Sequence, residues 1–381
     1  MIILFTLVAF AYLSFLLWLR NGITGTPQQQ TSKKRNRLPL VSVIVAARNE
    51  EDNIGNLLQH VLCQDYPGSQ LEVVIANDDS ADSTGDIVRK FSENDSRVTH
   101  LLVDDTPDNW SPKMWALSKA VQSSEGEILV FTDADCTMGA SWISTMAMLF
   151  KDTRVGMVGG PSPLENGGGL WRRALLLDSL GQDSLAAGGF ARGFPLTVSG
   201  RNLAIRRSAF DSVRGYEEIN SFFSGDDTLI MHKIIDAGWE IEFCVNPEAQ
   251  VKSPPPPDFA SFVRQRLRFA SKGKIYYELP FVRSVFRWIV SAIFLANLAV
   301  VAGMAAFVVS LDSTWLLPWF VKMIGDGILI AKYTSLLSRP FEPAAFLLDE
   351  IWHSLYVVVF GILGPLLPIS WKGRRKSLRI G

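Results

Sequence analysis

Acidic residues stand at three places in this 381-residue chain where they could do chemistry. Asp78 follows the apolar run LEVVIAN, while Asp133 and Asp135 follow EILVFT as an Asp-Ala-Asp triplet. Asp226 and Asp227 form an adjacent pair further along. Carboxylate oxygens suit hard divalent cations, and a cation bound to a diphosphate stabilises the charge on that leaving group. A carboxylate can also accept the proton of an attacking hydroxyl, so these positions indicate metal-assisted transfer chemistry.

Each of these positions also has an ordinary structural explanation. Asp78 could close an Asx-turn, and an Asp-x-Asp pair in a loop is commonly only solvated. Acidic residues are favoured at the first turn of a helix in any case. Lys113 could be a routine surface charge. Taken singly, none of these residues identifies a function, and the argument depends on their order along the chain.

The elements that would position these residues form a predicted α/β sheet. A continuous apolar, β-branched run typical of a strand buried on both faces lies at residues 38–47, and three further strands are predicted at 71–76, 98–103 and 127–132. The segments between them have apolar residues at helical spacing. Such alternation predicts an open sheet with right-handed crossovers, in which ligands bind beyond the carboxyl ends of the strands. Asp78, Asp133 and Asp135 all follow predicted strand ends.

A less regular half follows, with segments at 155–160, 170–185 and 196–205, a helix opened by Asp226 and Asp227, and a strand at 239–245. Behind the proline run at 254–257, phenylalanine and leucine alternate with basic residues. The residues of this basic face are Arg264, Arg266, Arg268, Lys272 and Lys274. This pattern predicts an amphipathic helix at a cytoplasmic lipid surface.

The hydrophobic residues, 48% of the chain, are concentrated at its two ends. Residues 1–19 carry no charge and are long enough to cross a bilayer as an uncleaved anchor. A secretory signal is the alternative, but no basic segment precedes the apolar run. Basic residues crowd the following linker, at Arg20, Lys33, Lys34, Arg35 and Arg37. By the positive-inside rule, the linker and the domain behind it are expected in the cytoplasm.

Three apolar stretches near the C-terminus, at 288–311, 315–337 and 346–371, predict two to three membrane helices. The second contains Lys322, Asp326 and Lys332, which are costly against lipid. The third contains acidic residues near its start, so its span is expected to begin at about Ile351. Three spans would put the C-terminus outside, whereas the basic tail at 372–381 favours the inside. One stretch is therefore expected to be re-entrant or interfacial.

Composition excludes several other classes of protein. The chain has 37 basic and 38 acidic residues, so it lacks the basic excess of a nucleic-acid-binding protein. Its three cysteines, Cys63, Cys136 and Cys244, are scattered and predict neither a disulfide framework nor a zinc site. The apolar content excludes general disorder.

The candidate residues occur in one order along the chain. They are Glu50, Asp78, Lys113-x-x-Ala116-Leu117, Asp133-x-Asp135, Gly200-x-Asn202, Asp226-Asp227 and Gln265-Arg266-Leu267-Arg268-Phe269. This order resembles family 2 of the inverting glycosyltransferases, with a GT-A nucleotide-sugar fold, over residues 39–272. The flanking predicted membrane helices fit the membrane-bound branch of this family, which includes cellulose, chitin and hyaluronan synthases. The strongest matches are VSVIVAARNEEDNIGNLL, ILVFTDADC and GDDTLIMHKIIDAGWEI.

The resemblance implies a binding site for a nucleotide-sugar donor. Ala47, Glu50 and Asp78 would line the pocket for the base and ribose, and Lys113 would lie near the nucleotide. Asp133 and Asp135 would hold the ribose and the Mg²⁺ or Mn²⁺ on the diphosphate.

The resemblance also implies the catalytic and acceptor residues. Asp227 corresponds to the catalytic base, and Asp226 to the acid before it. Gln265, Arg268 and Phe269 stand where polysaccharide synthases have Gln-x-x-Arg-Trp, which grips the diphosphate and caps the acceptor site.

This chain departs from the family pattern at three points. Phe269 replaces tryptophan, Asp226 replaces the usual glutamate, and Asn77-Asp78-Asp79-Ser80 replaces the usual Asp-Asp-Gly-Ser. None of these changes removes the metal pair or the base.

The sequence thus predicts a membrane-bound inverting glycosyltransferase with a catalytic domain in the cytoplasm. It would move a sugar to a hydroxyl of a lipid or glycan acceptor among membrane lipids. A processive polysaccharide synthase, a catalytically silent nucleotide-sugar-binding protein and a transporter using Lys322 and Asp326 are the alternatives. The predicted parts are an anchor at 1–20, a basic linker at 21–37, a GT-A domain at 38–257, an amphipathic segment at 258–284, membrane helices at 285–371 and a basic tail at 372–381.

Overall fold

The computed structural model describes residues 1–26, 38–222, 224–367, 369–371 and 374–376. The predicted basic residues at 33–35 and 37, together with Lys372 and Arg379, lie outside these ranges. The chain forms two compact units. We call residues 25–163 and 198–254 the sheet unit, and residues 1–24, 164–197 and 255–381 the helical unit.

The described strands are β1 (Val41–Ala47), β2 (Leu71–Asn77), β3 (Val98–Leu102), β4 (Ile128–Phe131), β5 (Thr137–Met138), β6 (Val155–Gly159), β7 (Leu203–Arg206), β8 (Glu240–Phe243), β9 (Val251–Lys252), β10 (Ile369–Trp371) and β11 (Arg374–Lys376). The described α-helices are α1 (Ile2–Gly22), α2 (Ile54–Leu62), α3 (Thr84–Asn94), α4 (Pro112–Gln122), α5 (Trp142–Ala147), α6 (Leu170–Ala191), α7 (Arg207–Ser212), α8 (Thr228–Asp236), α9 (Phe259–Ala270), α10 (Ile275–Glu278), α11 (Ser284–Ser310), α12 (Leu317–Leu336) and α13 (Pro343–Leu363).

The sheet unit is built around a seven-stranded mixed sheet with the order β3-β2-β1-β4-β7-β6-β8. Strands β3, β2, β1 and β4 are parallel, β7 runs antiparallel to both β4 and β6, and β6 is parallel to β8. The parallel half consists of the four strands predicted from continuous apolar runs. Strands β1, β2 and β4 are buried along nearly their whole length because helices cover a parallel sheet on each side, whereas β3 at the edge of the sheet is partly exposed.

Local sequence explains where the helices beside the sheet begin. Helix α4 begins at Pro112, whose fixed φ and missing N–H suit the first helical position. The Ser111 side chain caps it by accepting a hydrogen bond from the Met114 N–H at 3.4 Å. Helix α8 is capped by Asp227, whose carboxylate accepts from the Thr228 N–H at 2.6 Å. Two of the candidate functional residues, Lys113 and Asp227, are therefore held at helix N-termini.

The helical unit contains four helices long and apolar enough to cross a membrane, among the residues described. They span residues 2–22, 284–310, 313–336 and 343–363. This agrees with one N-terminal and three C-terminal candidate spans. Helix α6 packs against α1, α12 and α13 within this unit. The sequence predicted its amphipathic pattern but placed it inside the 38–257 domain, because amphipathicity does not reveal the partner.

The last apolar helix begins at Pro343, before Ile351, where the membrane span is predicted to begin. Asp349 and Glu350 lie inside the helix and are buried. Glu350 accepts a hydrogen bond from the Lys322 ammonium at 3.2 Å. Since this charge has a partner within the unit, it does not force the helix to start at the polar interface.

Candidate active site

The carboxyl ends of β2, β1 and β4 lie at one edge of the sheet, because the three strands are parallel neighbours. Asp78 follows β2 and is buried, and its N–H donates to the Ala47 carbonyl at the end of β1 at 2.8 Å. Asp133 and Asp135 follow β4 and are partly buried. The sheet topology therefore brings Ala47, Asp78, Asp133 and Asp135 to the same edge.

Glu50 lies in the loop between β1 and α2. Its N–H donates to the Thr84 hydroxyl at 2.8 Å, and its carboxylate accepts from the Asn53 side chain at 2.8 Å. The loop borders a cleft of about 380 Å³, lined by Asn49, Glu50, Glu51, Asp52, Asn53, Ala81 and Asp82. Of the three residues predicted to surround the base and ribose, Glu50 is the one that lines this cleft.

Left-handed backbone shapes the loops after β1 and β2. Asn49 has φ 50° and Asp79 has φ 48°. Glycine adopts this region most easily, and asparagine and aspartate are the residues that tolerate it best among the others. The family pattern usually has glycine at position 79, where this chain has aspartate. Asp79 adopts the left-handed backbone conformation that glycine would adopt most easily.

Lys113 connects two of the acidic positions. Its ammonium lies 3.1 Å from Asp133 Oδ1 and 2.9 Å from Asp226 Oδ2. Helix α4 presents Lys113 from its first turn. The acidic residue after β4 and the acidic pair before α8, which are far apart in sequence, therefore meet around one lysine.

Backbone N–H groups orient the Asp227 carboxylate. Oδ2 accepts from the Gly200 N–H at 3.2 Å, and Oδ1 accepts from the Thr228 N–H at 2.6 Å and from its hydroxyl at 3.1 Å. Asp226 is directly adjacent and pairs with Lys113. The predicted base is thus fixed beside the Lys113 cluster.

Negative charge accumulates around Asp135. Burial, followed by the charges of Asp133 and Glu50, raises the pKa of Asp135 to about 6, and Arg201 acts in the opposite direction. Carboxylates that repel one another at a partly buried edge are the donor set that a hard divalent cation prefers. Asp133 and Asp135 therefore fit a bound Mg²⁺ or Mn²⁺ by their chemistry.

Three nearby residues were not predicted as functional from the sequence. Arg48 follows β1, and its guanidinium donates to the Asp78 carbonyl at 2.5 Å. Tyr216 is buried near Lys113, and burial together with Asp226 raises the pKa of its hydroxyl. Arg201 lies inside the Gly200-x-Asn202 motif. Arg48 could have been suspected from its place at a strand end, whereas no local pattern indicates Tyr216.

Asn202, the last residue of that motif, has a structural role. Its buried side chain donates to the carbonyls of Pro161 and Ala249, both at 2.7 Å, and accepts from the Trp142 indole at 2.9 Å. One amide thereby ties three separate segments of the sheet unit together. Its hydrogen-bonding capacity is used within the protein.

Gln265, Arg268 and Phe269 lie on α9 in the helical unit. Phe269 is exposed, and the Arg268 guanidinium lies 5.0 Å from the centre of its ring. The sequence predicted that Arg266 lies on a basic, solvent-exposed face of this helix, and this prediction is wrong. Arg266 is buried and forms an ion pair with Asp178 of α6, which also accepts a hydrogen bond from Tyr356 of α13. Helix α9 is therefore packed inside the unit along this side.

A second cluster of potential metal ligands lies among the apolar helices. Asp326, Glu350 and His353 form the only such group of three found among the described residues. The Lys322 ammonium lies among them, 2.5 Å from Asp326 Oδ2 and 3.2 Å from Glu350 Oε2. Lysine supplies a positive charge there, so the described side chains form an internal ion-pair network.

Residues 42–214 match the model of glycosyl transferase family 2. This stretch is similar to a family 2 glycosyltransferase domain. A mannosyltransferase from Pyrobaculum calidifontis, solved with GDP-Man and Mn²⁺, has a similar structure with a TM-score of 0.61. The match covers 96% of this chain and 98% of that one at 19% identity, and it supports a GT-A-like fold.

Two curated relatives extend the comparison. The chain is 30% identical to the probable glycosyltransferase YdaM of Bacillus subtilis over 253 residues, covering 66% of this chain and 59% of YdaM. It is 26% identical to the beta-monoglucosyldiacylglycerol synthase of Trichormus variabilis over 234 residues, covering 60% of this chain and 48% of the synthase. The matched stretches thus span 59% and 48% of the length of these two relatives.

Proposed function

We propose that this protein is a membrane-bound, metal-dependent, inverting glycosyltransferase that uses a nucleotide-sugar donor. The meeting of Asp133 and Asp226 around Lys113, beside the backbone-fixed Asp227, carries the proposal. Lys113 thus contacts a predicted metal-binding carboxylate, Asp133, and the neighbour of the predicted base, Asp226, and both Lys113 and Asp133 lie within the residues that match the family 2 model.

In the proposed reaction, an acceptor hydroxyl attacks C1 of the sugar from the face opposite the nucleotide. Asp227 accepts the hydroxyl proton as the new bond forms, and the nucleoside diphosphate leaves with the electrons of the broken C1–O bond. The two backbone N–H groups that bind Asp227 restrict its rotation, so the carboxylate is oriented before the acceptor arrives.

The positively charged groups have a different task from that of the base. Lys113 would stabilise the negative charge that develops on the diphosphate. Asp133 and Asp135 would hold the divalent cation, which when bound supplies further positive charge to the leaving group. The ion would be Mg²⁺ or Mn²⁺. The mannosyltransferase of similar fold was solved with Mn²⁺.

We propose a membrane lipid as the acceptor, with the catalytic domain in the cytoplasm. Four candidate spans support membrane attachment, and one relative is named as a glycolipid synthase. Gln265, Arg268 and Phe269 are proposed to contact the diphosphate and acceptor, as the family resemblance implies. Elongation of a glycan, as in the polysaccharide synthases, is the alternative outcome.

The proposed base can be tested with the purified full-length protein in lipid nanodiscs. UDP-, GDP- and dTDP-sugars are offered with Mn²⁺ and a lipid extract, and products are followed by mass spectrometry. Asp227→Asn should reduce transfer by about 100-fold or more, as expected on loss of a general base. Asp236→Asn, an exposed carboxylate at the other end of α8, is the matched control.

Two results bear directly on the proposal. Full transfer by a folded Asp227→Asn variant would remove the proposed base. One sugar added to each lipid would support a lipid glycosyltransferase, whereas a ladder of products would indicate a processive synthase.

A further inference from the structure

Arg201 occupies a fixed position in the sheet unit. The N–H of its neighbour Gly200 donates to Asp227 at 3.2 Å. Its other neighbour, Asn202, is buried and hydrogen-bonded to Pro161 and Ala249. Because both flanking residues are held, the backbone of Arg201 is held next to the proposed base.

The Arg201 side chain is oriented by neutral partners. Its Nε donates to the Ser199 hydroxyl at 3.2 Å, and one terminal nitrogen donates to the Ser253 hydroxyl. Within the described ranges, no carboxylate lies within 4.0 Å of this guanidinium. Hydroxyl groups orient a guanidinium but do not neutralise its charge.

Some other partly or fully buried arginines in this protein have acidic partners, whereas Arg206 and Arg207 donate to backbone carbonyls. Arg48 lies 4.0 Å from Asp78 Oδ1, and buried Arg266 pairs with Asp178. Arg201 is partly buried as well, and its hydrogen-bond partners Ser199 and Ser253 carry no charge. The Arg201 charge acts on the candidate metal site. It lowers the pKa of Asp135, whereas burial, Asp133 and Glu50 raise it.

Arg201 has N–H donors that its two serine partners do not use, and it lies near the carboxylates of the candidate metal site. A guanidinium in this position can bind an anion. Its planar fork matches the oxygens of a phosphate group and can bind two of them at once. Hydroxyl partners on the other nitrogens preorganise the fork without competing electrostatically for the anion.

We propose that Arg201 is an anion-binding residue that holds a phosphate group of a substrate at this site. The inference rests on the proposed function and extends it with a residue and a ligand chemistry. Two sources could supply the phosphate, namely the diphosphate of the nucleotide-sugar donor and a phosphate in the head group of the acceptor.

The test uses the full-length protein in nanodiscs with Arg201→Gln and Arg201→Lys. Binding of UDP, GDP and inorganic pyrophosphate with Mn²⁺ is measured by calorimetry, with uridine and guanosine as probes that lack phosphate. If Arg201 holds the donor diphosphate, Arg201→Gln should weaken diphosphate binding by about 10- to 100-fold and leave nucleoside binding unchanged. The diphosphate affinity of Arg201→Lys should lie between those of the wild type and Arg201→Gln, since lysine keeps the positive charge but lacks the planar pair of donors.

A different pattern would assign the phosphate to the acceptor. Unchanged diphosphate binding, with KM raised about 10-fold or more for a phosphate-bearing lipid and unchanged for a neutral lipid, identifies the acceptor phosphate. Arg154→Gln, an exposed arginine of the same unit paired with Asp152, is the control.

Failure of this inference differs from failure of the proposed function. If wild-type protein transfers sugar and Arg201→Gln matches it in melting temperature, diphosphate affinity and KM for both lipids, Arg201 is only a structural tie to Ser199 and Ser253. If wild-type protein shows neither diphosphate binding nor transfer, the proposed function itself fails, and this inference with it.

Discussion

The two units each contain a lysine between two carboxylates, in opposite environments. In the sheet unit, Lys113 lies 3.1 Å from Asp133 and 2.9 Å from Asp226, and the side chains of Lys113 and Asp133 are 22% and 37% exposed. In the helical unit, Lys322 lies 2.5 Å from Asp326 and 3.2 Å from Glu350, and the side chains of Lys322 and Glu350 are 0% and 1% exposed.

The two clusters differ in the other polar groups around each lysine. Further groups complete the buried cluster, since Tyr12 donates to Asp326 at 2.8 Å and His353 lies 3.5 Å from the Lys322 ammonium. An ion in an apolar environment is stable only when it is paired and hydrogen-bonded in this way. Lys113 and Asp133 are partly exposed instead, and burial, followed by the charges of Asp133 and Glu50, raises the pKa of Asp135 to about 6.

This contrast shows how the same residue types take different roles. Charges inside an apolar helix bundle are a first indication of function. Here Lys322 and Asp326 bind one another and Glu350, which is a structural arrangement and gives the transporter alternative no support. Water access and excess negative charge at the Lys113 cluster are instead the properties of a site that accepts a cation and its ligand.

The strongest test of the comparison is Asp135→Asn. It should reduce sugar transfer by about 1,000-fold, equivalent to about 4 kcal/mol of barrier, because the proposed cation loses a ligand. The melting temperature without metal should stay the same or rise, since a repelling charge is removed. Transfer by radiolabelled donor and unfolding by scanning calorimetry provide the two readouts. Asp86→Asn, an exposed residue of α3, is the control, and equal activity of the two variants would contradict the cation site.

The buried cluster should behave in the opposite way. Lys322→Met leaves Asp326 and Glu350 without their cation and should cost about 3 kcal/mol or more of unfolding free energy. Thermal unfolding in nanodiscs measures this loss. Lys332→Met on the same helix is the matched control and should change stability by less than about 1 kcal/mol. Equal melting temperatures for the two variants would show that the network does not stabilise the helices.

A smaller effect is expected for Tyr356→Phe. This change removes the hydrogen bond to buried Asp178 and leaves the Arg266 ion pair, so it should cost about 1–2 kcal/mol. Tyr277→Phe removes an exposed hydroxyl contact with Ser291 and serves as the control. Both are measured by the shift in melting temperature. A larger loss for Tyr277→Phe than for Tyr356→Phe would mean that burial does not set the value of these contacts.

The smallest expected effect is a dependence of stability on pH. The pKa of Asp135 rises from 3.8 to about 6, so the metal-free folded protein holds a proton there more tightly than the unfolded chain does. This group therefore destabilises the fold above about pH 6 and ceases to do so as the pH falls towards 4. Melting temperatures in chelator should show Asp135→Asn above wild type at neutral pH and equal to it near pH 4. A pH-independent difference would contradict this explanation.

Part of the fold followed directly from the sequence. Strands β1, β2 and β4 were predicted because continuous apolar runs of that length are typical of buried parallel strands. Their carboxyl ends then share an edge, which places Asp78, Asp133 and Asp135 together. The four candidate spans followed from length and apolar composition, and the structure contains helices at each.

Other features depend on contacts between residues distant in sequence. Arg266 was expected on a solvated face because phenylalanine and arginine alternate along α9, and only the packing reveals its partner Asp178. The pairing of Lys322 with Asp326 is visible as an i, i+4 spacing, but Glu350 lies on another helix. The link between Asp133 and Asp226 through Lys113 likewise required the folded chain.

The membership of α6 in the helical unit limits how this protein can be divided. The sheet unit is made from two separate stretches, and residues 164–197 between them belong to the other unit. Removing only the terminal apolar helices would leave α6 without α1, α12 and α13, exposing the leucines at 175–177 and Asp178 to water. A soluble catalytic fragment would therefore need a short synthetic bridge in place of that internal helix, and simple trimming at either end is expected to yield aggregates.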